Sequence, residues 1–255
     1  MIDIHCHILP NVDDGARSLD ESLQMAERAV EDGIEAIVAT PHSLDGVYVN
    51  RAEEIVSGVV ALQRALSENH LEIKLYPGSD LHLCTNMVQR IRSGEACTIN
   101  DARKYMLLEL PSQMIPEGVK DEIFSLKLQG ITPIITHPER NAVVQHDPGI
   151  LYELVQMGAL AQITAMSLTG DFGEFIGSIS RSLLKYRLIH IIATDAHSRK
   201  DRPPVLSRAV ERAAEILKDY KAAEDMVTSV PAAILSGRTP DVPEPIRVKR
   251  TGRMF

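Results

Sequence analysis

Histidines and carboxylates in this sequence recur at the ends of apolar runs, a placement suited to binding a cation. His5 and His7 close the run Ile2–His7. They are two residues apart on an extended chain, so both imidazoles point to one face and Cys6 to the other. Asp195-Ala196-His197 repeats the arrangement after the last apolar run. His42 follows Ala39-Thr40-Pro41, Glu109 ends Tyr105–Leu108, and His137 ends Ile134-Ile135-Thr136. Asp14 and Asp80 take equivalent places. A lone histidine of this kind is ordinarily a hydrogen-bonded rim residue. Five histidines and four acids gathered together are a different matter, because packed carboxylates repel and are costly to bury. A bound cation removes that cost. Imidazole and carboxylate without thiolate suit zinc, manganese or iron. Nine ligands are too many for one ion, so two or three ions are expected.

The chain must bring these residues together. Strands are expected at Ile2–His7, Ile34–Pro41, Ile73–Pro77, Met106–Leu110, Ile131–Thr136, Ala159–Thr164 and Leu188–Thr194. Most are continuous apolar runs, as strands buried on both faces should be. Helices lie between them. Ser18 and Glu21 form a capping box for a helix that stops at Gly33. Asn50 is expected to cap a helix running to about Glu68. A third helix runs from near Pro116 to Gly130. Asp147-Pro148 opens a fourth, which ends at Gly158. Strand–helix alternation implies a mainly parallel sheet. Seven or so units in one domain fit a closed barrel, whose C-terminal rim carries the active site. An open doubly wound sheet is the alternative. It is weakened by the lack of a Gly-x-Gly-x-x-Gly segment after the first strand.

Composition sets the limits. The chain has 255 residues and a net charge of −8, so its overall field does not attract nucleic acid or anionic membrane. It contains no apolar run long enough to span a membrane. The opening residues show no signal-peptide pattern, and a cytoplasmic location is expected. Three cysteines (Cys6, Cys84, Cys97) make no disulfide framework or zinc ribbon. His190 has the opposite parity to Asp195 and should face the helices. His70 ends a helix, His146 sits in a turn, and His82 shares a face with Asp80. One domain is expected over residues 1–238. Residues 239–255, with the basic run Arg247-Val248-Lys249-Arg250 and then Arg253, read as a surface or disordered tail.

The ordered motifs resemble a known family. Asp3-Ile4-His5-Cys6-His7-Ile8-Leu9-Pro10 and Asp13-Asp14-Gly15-Ala16 look like the opening of the PHP (polymerase and histidinol phosphatase) superfamily. Ala39–His42, His137-Pro138-Glu139-Arg140-Asn141, Ser167-Leu168-Thr169-Gly170 and Thr194–His197 are similar to its bacterial CpsB/YwqE-type tyrosine-protein phosphatases of capsule and exopolysaccharide systems. The likeness runs from residue 2 to about residue 235. It implies a distorted TIM-like barrel of seven β/α units and up to three metals, often manganese, with iron, zinc or magnesium as alternatives. By resemblance, His5, His7, Glu109 and Asp195 match one metal site, with Glu109 as a bridge. Asp80 and His137 match a second, and Asp14, His42 and His197 a third. Arg140 and Arg202 match the phosphate-holding arginines. One departure is Asp80, where family members usually have glutamate.

Such a cluster suits phosphate-ester hydrolysis, in which a water between metals loses a proton and attacks phosphorus. Asp14 or His42 is a candidate proton donor. The resemblance points to phosphotyrosine on a bacterial tyrosine kinase tail as substrate. Histidinol phosphate is the small-molecule alternative. Two rivals carry specific signatures. Cys84/Arg90 and Cys97/Arg103 have Cys-x5-Arg spacing, but neither loop is glycine-rich enough to wrap a phosphate. An amidohydrolase would want a bridging lysine after a middle strand, and none occupies such a place.

Overall fold

The computed structural model describes residues 1–248. Its strands, all parallel, are β1 (Ile2–Cys6), β2 (Ala36–Ala39), β3 (His42–Ser43), β4 (Lys74–Pro77), β5 (Asp80–His82), β6 (Tyr105–Glu109), β7 (Thr132–Thr136), β8 (Leu160–Thr164) and β9 (Ile191–Ala193). They form two ladders, β1-β2-β4 and β3-β5-β6-β7-β8-β9. β2 and β3 are halves of one stave interrupted at Thr40-Pro41, since proline cannot donate to a ladder. β4 and β5 are halves of another, interrupted at Gly78-Ser79. Gly78 is required there, because a Cβ would stand 2.7 Å from Val38 Cγ1. The ring closes between β1 and the end of β9, where Asp195 N–H donates to His5 O at 2.8 Å and His7 N–H to Ala196 O at 2.9 Å. The result is a distorted barrel of seven staves, one for each strand expected from sequence.

Alternation assigns the faces. Tyr105, Leu107, Ile134, Leu160, Ile191 and Ala193 pack together with Ile4 and Val38 inside the barrel. Val230 and Ile234, from the helix Ser229–Leu235, join them and close the end where the strands begin. A larger apolar layer lies between staves and outer helices and includes Ile37, Leu108, Ile135, Ala161, Ile163 and Ile192. Each such large side chain contributes roughly 1.5–3 kcal/mol on burial. β1 has an irregular register between Asp3 and Cys6. This lets Ile4 face the interior low in the barrel while His5 and His7 face it higher up.

The helices differ from expectation in their starts. The first is Leu19–Glu31, and Ser18 Oγ accepts from Glu21 N–H at 3.1 Å. The Glu21 carboxylate, however, accepts from Arg17 N–H at 2.9 Å rather than closing the box on Ser18. The second is Ala52–Glu68, and its first turn is held by Glu54 on Arg51 N–H. Asn50 is not its cap: the Asn50 amide donates to Val12 O and His42 O at 3.1 and 2.8 Å, tying two loops of the rim. The third and fourth are Val119–Leu128 and Gly149–Gln156, with Asp147 Oδ1 accepting from Gly149 N–H. His146 ends a short helix, Ala142–His146, rather than lying in a turn. His190 faces outward and buried, as its parity indicated, with Nδ1 accepting from Ala161 N–H at 3.0 Å. It lines a cavity of about 590 Å³ beside the start of β9, at the far end of that strand from Asp195.

Residues 239–248 run without regular secondary structure. Ile246 N–H bonds Tyr186 O at 2.8 Å, and Val248 is buried. The rest of the basic run, Lys249 and Arg250, and Arg253 lie outside the described residues. No helix among the described residues is long and apolar enough to cross a membrane.

Candidate metal centre

All nine candidate ligands meet at the C-terminal mouth of the barrel. His5 Nε2 stands 3.2 Å from His7 Nε2, 3.5 Å from Asp80 Oδ2 and 3.6 Å from Asp195 Oδ1. His7 Nε2 is 3.4 Å from Asp195 Oδ1. Asp80 Oδ2 is 3.7 Å from both His42 Nδ1 and His137 Nε2. Glu109 lies 3.7 Å from His42, 3.6 Å from His137 and 3.3 Å from His82. Asp14 Oδ1 is 3.6 Å from His42 Nε2 and 3.4 Å from His197 Nε2. Three subsets have donor atoms close enough to share an ion: His7, Asp14, His42 and His197; His5, His7 and Asp80; and His42, Asp80 and Glu109. Asp80 and Asp195 are therefore the carboxylates that face His5 Nε2, with Asp80 at the centre, while Glu109 reaches His42, His137 and His82.

The donor set fits divalent metals. Asp80 Oδ2 is buried with no hydrogen-bond partner, and so is His42 Nδ1. Three imidazole nitrogens surround that oxygen at 3.5–3.7 Å. Those separations are long for hydrogen bonds and suit groups arranged around an ion that each would approach to about 2.0–2.2 Å.

Electrostatics point the same way. Burial works against the Asp80 anion, but His5, His137 and His42 hold the carboxyl well below the usual range. Burial also opposes the Asp195 anion, and Arg140, His5 and Arg202 override it. Asp14 is held low by its hydrogen bond from His197. His5 is pushed down to about 4 by burial. His7 would follow, but Asp13 and Asp195 push it up to about 10. The field at this point thus favours positive charge.

Loops off the strand ends aim the side chains. His137 (φ 34°) and Asp195 (φ 52°) adopt left-handed backbone just past β7 and β9. For residues with a Cβ this conformation costs on the order of 1–3 kcal/mol and tends to cluster at functional sites. Gly15 lets the Asp13–Ala16 turn close on β1: a Cβ there would stand 2.2 Å from His7 O.

Several supporting residues escaped the reading of the sequence. Asp13 Oδ2 accepts from His7 Nδ1 at 2.7 Å and from His42 N–H at 3.0 Å. Gln162, from inside β8, meets His5 Nδ1 at 3.0 Å. Such partners orient imidazole ligands and fix which nitrogen faces the metal. A polar residue in an apolar strand was the available signal for Gln162.

Both arginines converge on Asp195. Arg202 Nη2 lies 2.6 Å from Asp195 Oδ2, and Arg140 Nη2 bonds the same oxygen. Arg140 Nη2 also donates to Thr164 Oγ1 at 2.5 Å, and its guanidinium carbon sits 4.9 Å from the Phe172 ring centroid. The rest of the His137–Asn141 segment braces it. Glu139 is fully buried and accepts from Thr164 N–H and Ser167 Oγ, at the start of the helix Ala165–Thr169. Asn141 caps the helix Ala142–His146 and donates to Pro111 O and Met114 O, pinning the loop after Glu109.

The cysteines lie outside this centre. Cys84 Sγ contacts Met87 Sδ, and Arg90 is paired with Glu95. Burial raises both Cys84 and Cys97, the latter up to about 12.

Comparison with known proteins gives a consistent picture. The sequence profile of the CpsB/CapC family of capsular polysaccharide synthesis matches residues 1–236. Tyrosine-protein phosphatase YwqE of Bacillus subtilis is 39% identical over 202 residues, 79% of each chain. The putative tyrosine-protein phosphatase CapC of Staphylococcus aureus is 38% identical over 208 residues, 82% of this chain and 81% of its own. A crystal structure from work on YwqE and on CpsB from Streptococcus pneumoniae, described there as metal-dependent tyrosine phosphatases, superposes with a TM-score of 0.93. It is 35% identical and covers 98% of this chain and 100% of its own.

Proposed function

The chain belongs to the CpsB/CapC family, and from that membership together with the geometry above we propose that it is a metal-dependent protein-tyrosine phosphatase. His5, His7, Asp14, His42, Asp80, Glu109, His137, Asp195 and His197 would hold two or three divalent ions, manganese by preference. The bound metals supply Lewis acidity and a nucleophile drawn from water. The single observation that carries this reading is Asp80 Oδ2, a buried carboxylate oxygen without a hydrogen-bond partner among three imidazoles.

The chain's own residues do the rest. Arg140 and Arg202 present planar guanidinium forks, suited to two phosphoryl oxygens at once. Their charge offsets the negative charge that grows on those oxygens during transfer. Asp195 keeps both forks at the mouth in the meantime. Thr164 and the buried Glu139 brace Arg140 from behind. Asp14 is held as an anion and is a poor proton donor. A tyrosine phenolate, of pKa about 10, leaves with little help. The natural substrate in this reading is a phosphotyrosine segment of a bacterial kinase that controls polysaccharide export. The free thiols of all three cysteines accord with a cytoplasmic setting.

Chelation decides between this centre and a thiol mechanism. Removing metal should abolish phosphatase activity, and manganese should restore it. Cys84→Ser and Cys97→Ser should keep activity within about twofold, given thiols whose burial disfavours the reactive thiolate. Fewer than two metals per active chain would overturn the mechanism. A strong preference for histidinol phosphate over a phosphotyrosine peptide would overturn the substrate.

A further inference from the structure

Phe172 lies on the loop after the helix Ala165–Thr169, between Gly170 (φ 88°) and Gly173 (φ 92°). These glycines turn the chain so that the half-buried ring packs 4.9 Å from the Arg140 guanidinium carbon. A guanidinium offers its hydrogen-bond donors along its edge and its flat faces to aromatic rings. A phosphoryl group held by the edge of Arg140 therefore has Phe172 at its flank. The group esterified to that phosphate begins one bond away, within reach of the ring. Two further apolar side chains are exposed on segments adjoining this region: Met114, 56% exposed on the loop that Asn141 pins, and Phe175, 52% exposed three residues after Phe172. A further aromatic ring, Tyr48, lies near-parallel to His42 at 6.3 Å.

We propose that Phe172 is a specificity-determining residue that forms the wall of an aryl subsite and selects phosphate esters of phenols over those of alkyl alcohols. This inference rests on the phosphatase reading above. Phe172 does no chemistry. It exchanges water for the flat face of the substrate ring while Arg140 holds the phosphate.

Binding of non-hydrolysable anions tests it on the manganese-loaded protein. Phenylphosphonate, methylphosphonate and inorganic phosphate differ in the group attached to a common charged head. The wild type should bind phenylphosphonate about tenfold more tightly than methylphosphonate. Phe172→Ala should lose roughly five- to tenfold for phenylphosphonate and less than about twofold for the other two, from the usual size of an aromatic contact. Phe172→Leu, which keeps apolar bulk, should fall between and guards against a folding defect in the alanine variant. Equal losses for all three anions would show that Phe172 only braces Arg140, and would overturn the proposal. So would unchanged affinities, or a wild type with no aryl preference. If the wild type cleaves no phosphomonoester, the phosphatase reading fails instead, and the three affinities still report on Phe172.

Discussion

Glu139 accepts a 2.6 Å hydrogen bond from the Ser167 hydroxyl, and this contact ties the His137–Asn141 segment to Ser167–Gly170. The same carboxylate oxygen takes the Thr164 N–H, so a buried acid serves the start of a helix whose own cap has no side-chain bond. Removing the hydroxyl leaves that acid short of a donor in a site without solvent. Ser167→Ala should lower unfolding free energy by about 1–3 kcal/mol. Urea unfolding measures it, and a change below about 0.5 kcal/mol would show that the contact is dispensable.

The two arginines should act on turnover and not on metal content. Both sit on Asp195, one of the candidate ligands, yet neither has a ligand atom to offer a metal. Arg140→Lys removes the two-pronged geometry and should lower kcat/KM on a phosphotyrosine peptide by roughly a hundredfold or more. Arg202→Lys should act in the same direction. Metals per chain, read by elemental analysis, should stay at the wild-type value. Normal turnover in either variant would remove that arginine from the phosphate site.

His190 gives the pH prediction, because it lies away from the metal centre. Burial holds its imidazole down at about 4, and protonation at Nδ1 would break the bond from Ala161 N–H. Unfolded, the same group titrates near 6.5. Between these values the unfolded chain binds a proton that the folded chain refuses. The contribution of His190 to stability is therefore complete above pH 6.5 and is lost as pH falls toward 4, by about 3 kcal/mol in all. In His190→Gln this part of the slope disappears. Urea unfolding of both proteins at steps from pH 4 to 7 provides the comparison, and parallel curves would refute it.

Much of the site was legible before any fold was known. Residue type and position sufficed for His5, His7, His42, His137 and His197, since a polar ligand at the end of an apolar strand has few other uses. Alternation separated Cys6 and His190 from that face. The chemistry of a mixed imidazole–carboxylate set then pointed to metals. Reading fared worse where one residue serves a distant one. Asn50 looks like a helix cap, because asparagine before a helix usually is one. Its amide instead ties Val12 to His42, loops with no sequence relation to it. Asp13 stands beside a ligand candidate of its own type, and nothing local tells which of the pair orients His7.

The seven staves, their direction and the set of candidate ligands follow from residue order alone, because apolar periodicity and residue chemistry are local properties. How those candidates group depends on the folded arrangement. Staves broken at Pro41 and Gly78 and an irregular β1 shift side chains by fractions of a turn, and metal donors must meet within a few ångströms. Asp80 stands at the centre of three imidazoles, and Glu109 stands to the side. The placement of Phe172 against Arg140 was likewise settled only by folding, since two glycine turns and a buried acid 33 residues earlier bring them together.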